Sequence, residues 1–423
     1  MSDLWAAPYV GEEPFAGESI RLPASKSLMN RLLVLASLAD GSSALRNPLV
    51  ARDTTLMAEA LRALGATIDH ADAEWTITPG PAVSGRVTID CGLAGTVMRF
   101  VPPLAALSQA AVTFDGDARA RERPMSTTIE SLRGLGVPVD SASGRLPFTV
   151  HGMGRVTGHE LSIDASASSQ FVSALLLAAP RFPRGLMLHH AGASLPSQPH
   201  IDMTIAELRK RGVVVDDSVA GTWRVESGPI KALDVSVEPD LSNAGPFIGA
   251  ALVTGRDVPI ADWPADTTQA GDAWRTIAAK FGGSASDDGT FIGPGSAQIA
   301  GVELDLHDVG ELTPVVAAVA AFAHSECRLT GIAHLRGHET DRLKALATEI
   351  NGLGGDVEET DDGLIIRPRP LHGGVFHTYD DHRMVHAAAV VGLRVPGVLV
   401  ENAATTAKTY PGFIADWERF ARA

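Results

Sequence analysis

An acid pair, an imidazole and a guanidinium stand side by side between Asp380 and Arg383. The apolar run from Met384 to Leu393 predicts a helix that begins directly after them. Because a helix N-terminus carries partial positive charge, an arginine is unfavourable there unless an anion binds beside it. Two interpretations follow: an aspartate cap next to a surface arginine, or an anion site that combines Arg383 with the helix amides.

A second candidate anion site lies between Ser25 and Arg31, at the start of a helix predicted to reach about Leu38. Ser25 or Ser27 is the predicted N-cap, and Lys26 lies in the first turn. Hydroxyls, amides and two cations suit a phosphate or a carboxylate, although a capped helix with solvated charges shows the same pattern. The Gly-x-x-x-x-Gly-Lys of a P-loop is absent.

A strand-to-helix junction at Gly95 is the third candidate. Glycine lets a ligand approach the backbone closely, and Thr96 is a plausible cap. The loop from Arg119 to Pro124 contains three arginines, which suit bidentate contacts to an anion or simple exposure to solvent.

Hydroxyls, acids and single cations mark further predicted helix starts. They occur in Asp164–Gln170, Leu195–Asp202, His338–Arg342, and at Glu311 and Lys408. Each has a simple structural explanation as a cap or a surface group. The His338 segment is not a zinc motif, because a second histidine four residues later is lacking. Taken together, these cations at helix starts predict a positive cleft for a polyanionic ligand.

The overall composition excludes several classes of protein. The chain has 423 residues, 45% of them hydrophobic, and a net charge of -15, which argues against nonspecific nucleic-acid binding. Two cysteines provide neither a disulfide framework nor a metal site. No apolar run is long enough to span a membrane, and Met1 to Glu13 lacks the pattern of a signal peptide. We therefore expect a cytoplasmic protein.

A helix-to-strand signature recurs along the chain. In each copy an amphipathic helix ends at a glycine, as a left-handed C-cap requires, and an alternating stretch follows. The marker glycines are separated by 71, 76, 70 and 72 residues, and they are Gly65, Gly136, Gly212, Gly282 and Gly354. Six units of about this length fit the chain, the last one truncated near 413–423, which predicts two halves of three α/β units each.

Seven motifs, in order, resemble the 5-enolpyruvylshikimate-3-phosphate synthase family over nearly the whole chain. They are Ala-Ser-Lys-Ser-x-x-x-Arg, Leu-Ala-Gly-Thr-x-x-Arg, Arg-Glu-Arg-Pro, Ser-Ser-Gln-Phe, Glu-Thr-Asp-Arg-Leu, Asp-His-Arg-Met and Ala-Lys-Thr-x-Pro-Gly. The resemblance implies an α/β (α+β) fold of two similar domains, each with three βαβαββ units. Helix N-termini would line an interdomain cleft that closes on substrate. We place the domains at residues 1–21 plus 240–423, and 22–239.

The resemblance also implies the reaction of phosphoenolpyruvate with shikimate 3-phosphate, without metal or organic cofactor, in a monomer. Glu311 would accept the proton of the 5-hydroxyl, and Glu339 or Lys26 would deliver a proton to C3. The residues implied for shikimate 3-phosphate are Lys26, Ser27, Arg31, Ser168, Ser169, Gln170, Ser197, Glu311 and His338. Those implied for phosphoenolpyruvate are Lys26, Gly95, Arg123, Gln170, Arg342, His382, Arg383 and Lys408. Glyphosate is expected to compete with phosphoenolpyruvate.

Several positions depart from the commoner family pattern. Leu93, His200, His334 and His338 replace Asn, Tyr, Asn and Lys, and Glu311 replaces Asp while keeping the carboxylate. A sister enolpyruvyl transferase, which acts on UDP-N-acetylglucosamine, often has a cysteine in the loop matching Arg119–Pro124. That loop has none here, and Cys91 is predicted to be buried. A noncatalytic protein on the same scaffold is disfavoured because Lys26, Glu311 and Glu339 are all present.

Overall fold

A computed structural model describes residues 3–11, 19–71, 73–295 and 298–422. The internal contacts divide the chain into two compact units, Met1–Pro23 with Pro239–Ala423 (unit 1) and Ala24–Glu238 (unit 2). The positions predicted for the domain ends, 21/22 and 239/240, lie close to these divisions. Of the Met1–Glu13 segment, residues 1, 2, 12 and 13 lie outside the described residues, as does residue 423.

The described residues form twelve α-helices, numbered in chain order. They are α1 (Lys26–Ser37), α2 (Arg52–Ala63), α3 (Gly95–Ala105), α4 (Ser126–Gly134), α5 (Gln170–Ala178), α6 (Gln198–Lys210), α7 (Gly245–Thr254), α8 (Trp274–Lys280), α9 (Thr313–Ala320), α10 (Arg342–Gly352), α11 (His382–Arg394) and α12 (Phe413–Arg422). Short 3-10 helices span Ala120–Glu122, Ala179–Arg181, Leu241–Ala244, Ala270–Ala273, His307–Leu312, Ala333–Gly337 and Ala403–Lys408.

Twenty-two strands are present in the described part of the chain. They are β1 (Leu4–Ala6), β2 (Ser43–Arg46), β3 (Thr67–His70), β4 (Glu74–Thr78), β5 (Ser84–Asp90), β6 (Gln109–Asp115), β7 (Val139–Ser141), β8 (Phe148–His151), β9 (Glu160–Ile163), β10 (Leu186–His190), β11 (Val215–Asp216), β12 (Thr222–Val225), β13 (Val235–Ser236), β14 (Asp257–Pro259), β15 (Ser284–Ala285), β16 (Thr290–Ile292), β17 (Glu303–Asp305), β18 (Cys327–Thr330), β19 (Asp356–Glu359), β20 (Leu364–Arg367), β21 (Gly374–Phe376) and β22 (Val398–Glu401).

Unit 2 contains one sheet topology three times. Strand β5 pairs in parallel with β6, and β6 and β7 both pair antiparallel with β8. Strands β9, β10, β12 and β11 repeat this order, as do β13, β2, β4 and β3. In the last sheet the parallel strand β13 comes from the end of the unit and pairs with β2 near its start. The first repeat is therefore completed by the chain that leaves the unit.

Unit 1 follows the same plan with two incomplete repeats. The sheet β17-β18-β20-β19 is complete, whereas β14-β16-β15 has three strands and a parallel bridge between Ile20 and Ile260. In the third sheet β21 pairs in parallel with β22, and β1 pairs antiparallel with β22. The N-terminal strand thus supplies a partner that the truncated sixth repeat lacks. These sheets and helices confirm the predicted mixed α/β fold.

The five marker glycines confirm the predicted left-handed helix ends. Each follows the last turn of a helix and has a positive φ, between 78° and 107°. Residues with a Cβ rarely adopt this conformation, so glycine is favoured at the exit of α2, α4, α6, α8 and α10.

Each unit has its own core, built around the first helix of every repeat. Helices α1, α3 and α5 contact one another in unit 2, and α7, α9 and α11 do so in unit 1. These six helices are apolar on most of their surface; all residues of α11 except Arg394 are buried. Burying a helix on all sides leaves its ends as the places for polar side chains. Among the described residues, no helix is long and apolar enough to cross a membrane.

Candidate active site

The start of α1 brings an ammonium to a buried carboxylate. Ser25, not Ser27, is the N-cap, and its Oγ accepts a hydrogen bond from the Leu28 amide at 3.4 Å. Lys26 Nζ lies 3.4 Å from Oδ2 of Asp53, whose side chain is 2% exposed. Asp53 lies in the first turn of α2, where a carboxylate is favourable. This pair therefore holds the Lys26 side chain in place.

Arg31 is almost completely enclosed by protein groups. Its guanidinium donates to Thr204 Oγ1 at 2.7 Å, the Ser27 carbonyl at 2.8 Å and the His200 carbonyl at 2.9 Å. It also lies 5.2 Å from the ring centroid of Phe100. Burial lowers the pKa of Arg31 to about 9, and the charge of Glu207 opposes this shift. The main role of Arg31 is thus structural: its hydrogen bonds hold the starts of α1 and α6 together.

Three polar side chains of unit 2 surround Gly95. A Cβ at this position would lie 2.9 Å from Arg99 Nη1, 3.2 Å from Gln170 Oε1 and 3.3 Å from Arg123 Nη1. Arg99 donates to Gln170 at 3.1 Å, which fixes the amide oxygen toward the guanidinium. The predicted cap at Thr96 is wrong. Helix α3 has no side-chain cap, and Thr96 Oγ1 instead accepts from Asn30 at 2.7 Å.

The three arginines of the Arg119–Pro124 loop have different environments. Arg119 pairs with Glu122, and Arg121 pairs with Asp115 at 2.7 Å; both guanidinium groups are about half exposed. Arg123 is 7% exposed, and its Nε and Nη1 have no hydrogen-bond partner among the described residues. A buried cation without acceptors is costly, so this guanidinium is suited to receive an anion.

The serines predicted to bind ligand lie at the starts of α5 and α6. Ser168 Oγ accepts a hydrogen bond from the backbone N–H of Gln170 at 3.3 Å, and Ser169 is buried. Ser197 precedes α6 with a φ of 58°, an uncommon conformation for serine. His200 lies in the first turn of α6, and its carbonyl oxygen accepts a hydrogen bond from Arg31 at 2.9 Å. Such departures from ordinary backbone geometry cluster at functional sites.

In unit 1, four charged side chains form a buried network. Asp381 accepts from Arg342 Nε at 2.8 Å and Nη2 at 3.1 Å, and its side chain is completely buried. Glu339 accepts from Arg342 Nη2 at 3.1 Å and from Lys408 Nζ at 2.7 Å. Burial alone would lower the pKa of Arg342, but the carboxylates of Asp381 and Glu339 raise it above its ordinary value.

Arg383 lies one residue into α11 and faces the Leu241–Ala244 turn. It donates to the Ser242 carbonyl at 2.7 Å and to Ser242 Oγ at 2.5 Å, and it is 7% exposed. Burial lowers the pKa of Arg383, while the charge of Asp240 opposes that shift. Asp381 is the N-cap of the same helix and accepts from the Arg383 amide at 2.9 Å. The cap and the anion-site interpretations of this stretch are therefore compatible.

His382 is buried beside this network but is not hydrogen-bonded to Asp381. Their closest polar atoms are 3.7 Å apart, because both Asp381 oxygens already accept from Arg342. The role of Asp381 is thus to cap α11 and to hold Arg342. One turn later His386 is fully buried, and neither ring nitrogen has a hydrogen-bond partner among the described residues.

Glu311 lies in the 3-10 helix that precedes α9 and is half-buried. Its charge acts on His334, Arg342 and Arg383, so it belongs to the same cluster. Helix α9 has eight residues. The thiols of Cys91 and Cys327 are buried, and burial raises the pKa of each, so neither is an activated nucleophile.

Two histidines of unit 1, His334 half-buried and His386 fully buried, make its stability depend on pH. Burial lowers the pKa of His334 to about 4, with the charge of His307 adding to the effect, and lowers that of His386 well below its ordinary value. The unfolded chain therefore binds these protons near pH 6.5, whereas the folded chain does not. We expect the free energy of unfolding to fall by about 1.4 kcal/mol per pH unit for each histidine as the pH drops below this value.

Urea unfolding at several pH values between 6.5 and 4 tests this expectation. The variant His334→Asn removes one titrating group, so its unfolding free energy should depend less steeply on pH than that of the parent. Equal slopes for the two proteins would contradict the assignment of a neutral His334 in the fold.

Several site residues were not predicted from the sequence. They are Asp53, Arg99, Asp240 and Ser242. The contact between Asp381 and Arg342 was not predicted either. An acid in the first turn of α2 was the available signal for Asp53, and the arginine in the Gly95 motif was the signal for Arg99. Among the described residues, no group of three or more His, Cys, Asp or Glu is arranged to hold a metal ion.

Comparison with known proteins identifies the family of the chain. The family model described as EPSP synthase (3-phosphoshikimate 1-carboxyvinyltransferase) matches residues 11–417. The chain is 54% identical over 430 aligned residues to the 3-phosphoshikimate 1-carboxyvinyltransferase of Kocuria rhizophila, covering 99% of this chain and 96% of that protein.

Two solved structures share the fold. An EPSP synthase from Acinetobacter baumannii has a TM-score of 0.78 at 23% identity, covering 98% of this chain and 97% of the other. The enolpyruvyl transferase NikO from Streptomyces tendae has a TM-score of 0.76 at 17% identity, covering 98% and 96%. On the family match and the close relative, the chain belongs to the EPSP synthase family, the 3-phosphoshikimate 1-carboxyvinyltransferases.

Proposed function

We propose that this protein transfers the enolpyruvyl group of phosphoenolpyruvate to the 5-hydroxyl of shikimate 3-phosphate and releases phosphate. This is the shikimate-pathway step that leads to chorismate and the aromatic amino acids. The observation that carries most weight is the set of buried cations at helix starts in an acidic chain, above all Arg123 with two unpartnered nitrogens. Burying these cations costs desolvation free energy, and binding two multiply charged anionic substrates offsets that cost.

The side chains proposed as ligands of phosphoenolpyruvate include guanidinium and ammonium groups in each unit. In unit 2, Arg123 and the amide of Gln170 lie around Gly95, where the missing side chain leaves the backbone accessible. In unit 1, Arg342, Arg383 and Lys408 are buried and oriented by carboxylates or by Ser242. The proposed ligands are Lys26, Gly95, Arg123, Gln170, Arg342, His382, Arg383 and Lys408.

Shikimate 3-phosphate is proposed to bind the hydroxyls and cations at the starts of α1, α5 and α6. The helix amides there supply further donors for a phosphate. Arg31 contributes chiefly by anchoring Ser27, since most of its N–H groups are bound to protein acceptors. The proposed ligands are Lys26, Ser27, Arg31, Ser168, Ser169, Gln170, Ser197, Glu311 and His338.

The proposed chemistry begins at Glu311, which accepts the proton of the 5-hydroxyl as its oxygen attacks C2 of phosphoenolpyruvate. C3 gains a proton and gives it up again as the bond between C2 and the phosphate oxygen breaks. The departing phosphate takes up one proton, which balances the one that the 5-hydroxyl lost. Fixed cations stabilise the charge that moves during these steps, and binding both substrates removes much of the entropic barrier.

Two residues are candidates for the proton at C3. Glu339 is bound by Arg342 and Lys408, and two adjacent cations favour its carboxylate form. Lys26 Nζ lies 3.4 Å from the Asp53 carboxylate, and its ammonium has three N–H groups to donate. This difference favours Lys26 as the donor to C3, with Glu339 suited to take the proton back.

We further propose that the enzyme acts as a cytoplasmic monomer, and that substrate carboxylates and phosphates are neutralised by side chains without metal or organic cofactor.

A phosphate-release assay tests the activity. Release is expected with both substrates present and is expected to be absent when either one is omitted. Release from phosphoenolpyruvate alone, or none with both, would contradict the proposal.

Adding a methyl group at Gly95 should weaken the phosphoenolpyruvate site. In Gly95→Ala the Cβ would lie 2.9 Å from Arg99 Nη1 and would displace Arg123 as well. We expect KM for phosphoenolpyruvate to rise about tenfold, equivalent to about 1.4 kcal/mol, with a smaller change in KM for shikimate 3-phosphate. Steady-state kinetics measure both, and glyphosate should compete with phosphoenolpyruvate in the parent enzyme.

The matched control is Gly228→Ala, since a Cβ there meets nothing within 4 Å. Its kinetic constants should equal those of the parent. Parent-like KM in Gly95→Ala, or indifference of the parent to glyphosate at millimolar concentration, would exclude Gly95 from the site.

A further inference from the structure

His338 lies between the Ala333–Gly337 helix and α10, with its ring against the guanidinium of Arg342. Arg342 Nη1 lies 3.4 Å from His338 Nδ1. An arginine has only N–H donors and stays protonated, so His338 Nδ1 must be the acceptor in this contact. An imidazole that accepts at Nδ1 carries its proton on Nε2 and is neutral.

The remaining N–H groups of Arg342 explain why this contact matters. Nε and one Nη2 hydrogen go to Asp381, and the second Nη2 hydrogen goes to Glu339. Of the two Nη1 hydrogens, one faces His338, and the other has no acceptor among the described residues. The contact with His338 thus sets the direction of the one donor that Arg342 can offer to a ligand.

Titratable and charged groups face the His338 ring from several sides. His334 lies 5.8 Å from His338 between ring centroids, and His307 lies 6.1 Å from His334, each pair steeply inclined. Arg342 presents an N–H and a positive charge to the ring, while Glu339 and Glu311 are the nearby carboxylates of the same cluster. Glu339 already accepts a hydrogen bond from Arg342, and the charges of both carboxylates act on the Arg342 guanidinium.

We propose that His338 is a positioning residue which, as the neutral Nε2–H tautomer, aims the remaining Nη1 hydrogen of Arg342 at phosphoenolpyruvate. The proposal rests on the proposed function, because it takes Arg342 as a ligand of that substrate. It assigns to His338 a task that a permanent cation cannot perform. Protonation of Nδ1 would place a second donor against the guanidinium and turn Nη1 away.

Two substitutions separate this role from that of a cation. His338→Gln retains a neutral acceptor and a neutral donor, whereas His338→Lys supplies a permanent charge and no acceptor. We expect KM for phosphoenolpyruvate to rise about tenfold in His338→Lys and to rise several-fold less in His338→Gln. A lysine variant as good as the parent, with a poorer glutamine variant, would overturn the proposal.

The pH profile supplies a readout that a merely structural role would not change. As the pH falls, KM for phosphoenolpyruvate should rise more in the parent than in His338→Gln. Ionisation of the substrate itself is common to both enzymes and cancels in the ratio. Identical profiles for the two enzymes would contradict a proton-sensitive His338.

The tautomer can be measured without turnover. Two-bond proton–nitrogen correlation spectra of the 15N-histidine-labelled protein distinguish imidazolium, Nδ1–H and Nε2–H rings, and the signal lost in His338→Gln identifies His338. At neutral pH we expect the Nε2–H pattern. An imidazolium or an Nδ1–H ring would refute the inference even in an active enzyme, whereas absence of turnover with an Nε2–H ring would refute the proposed function instead.

Discussion

Replacing Glu311 with Gln should lower kcat by about 100- to 10,000-fold while shikimate 3-phosphate still binds. The amide keeps the size of the side chain but cannot accept the proton of the attacking hydroxyl, and general-base catalysis contributes an effect of about this size. The position of Glu311 before α9, with its charge acting on Arg342 and Arg383, supports the role. Steady-state kinetics give kcat, and calorimetry gives the Kd of shikimate 3-phosphate.

Asp308→Asn is the matched control for this prediction. Asp308 lies in the same 3-10 helix as Glu311 but is exposed. Its loss should leave kcat within about twofold of the parent, since exposed substitutions rarely have larger effects. Turnover by Glu311→Gln close to that of Asp308→Asn would remove Glu311 from the role of base.

Replacing Asp381 with Ala should destabilise unit 1 more than any surface substitution. The carboxylate is completely buried, takes two hydrogen bonds from Arg342 and caps α11. Removing one partner of a buried ion pair leaves an uncompensated charge and costs about 3–5 kcal/mol. We expect the free energy of unfolding to fall by about this amount, together with weaker binding of phosphoenolpyruvate, because Arg342 loses its orientation.

Urea unfolding measures the loss, and Asp361→Ala serves as the control. Asp361 is an exposed aspartate of the same unit, so its removal should change the unfolding free energy by less than about 0.5 kcal/mol. If the two variants unfold at the same urea concentration, the buried pair between Asp381 and Arg342 does not stabilise the fold.

The repeated architecture was predictable because it depends on local sequence. A glycine at the end of an amphipathic helix has a positive φ at all five marker positions, since only short-range sterics are involved. The cap at Asp381 was likewise predictable from an acid ahead of an apolar run, although α11 begins at His382, two residues before the predicted start at Met384. Local capping chemistry and periodicity are sufficient for such features.

Features that join distant parts of the chain were not predictable in the same way. Strands β1 and β13 complete sheets whose other strands lie far away in sequence, and their two or three residues give no periodic signal. The contact between Asp381 and Arg342 joins residues 39 apart, so the sequence indicated a cap but not its second partner. Thr96 was misassigned because Asn30 competes for its hydroxyl.

The charged residues of the site were predictable in kind but not in environment. Arg119, Arg121 and Arg123 are equivalent in the sequence, yet of the three Arg123 alone is buried, and two of its nitrogens lack an acceptor in the described part of the chain. The difference arises because Glu122 and Asp115 neutralise the first two at the surface. Spacing alone cannot reveal which arginine lacks a carboxylate once the chain has folded.

The fate of the bridging oxygen of phosphoenolpyruvate tests the central claim most directly. The proposed attack of the 5-hydroxyl at C2 ends with cleavage of the C2–O bond, so the oxygen between C2 and phosphorus must leave with phosphate. With 18O at that position and shikimate 3-phosphate present, we predict that mass spectrometry finds the label in the released phosphate. Label retained in a pyruvate product would show cleavage of the O–P bond and would contradict enolpyruvyl transfer by this enzyme.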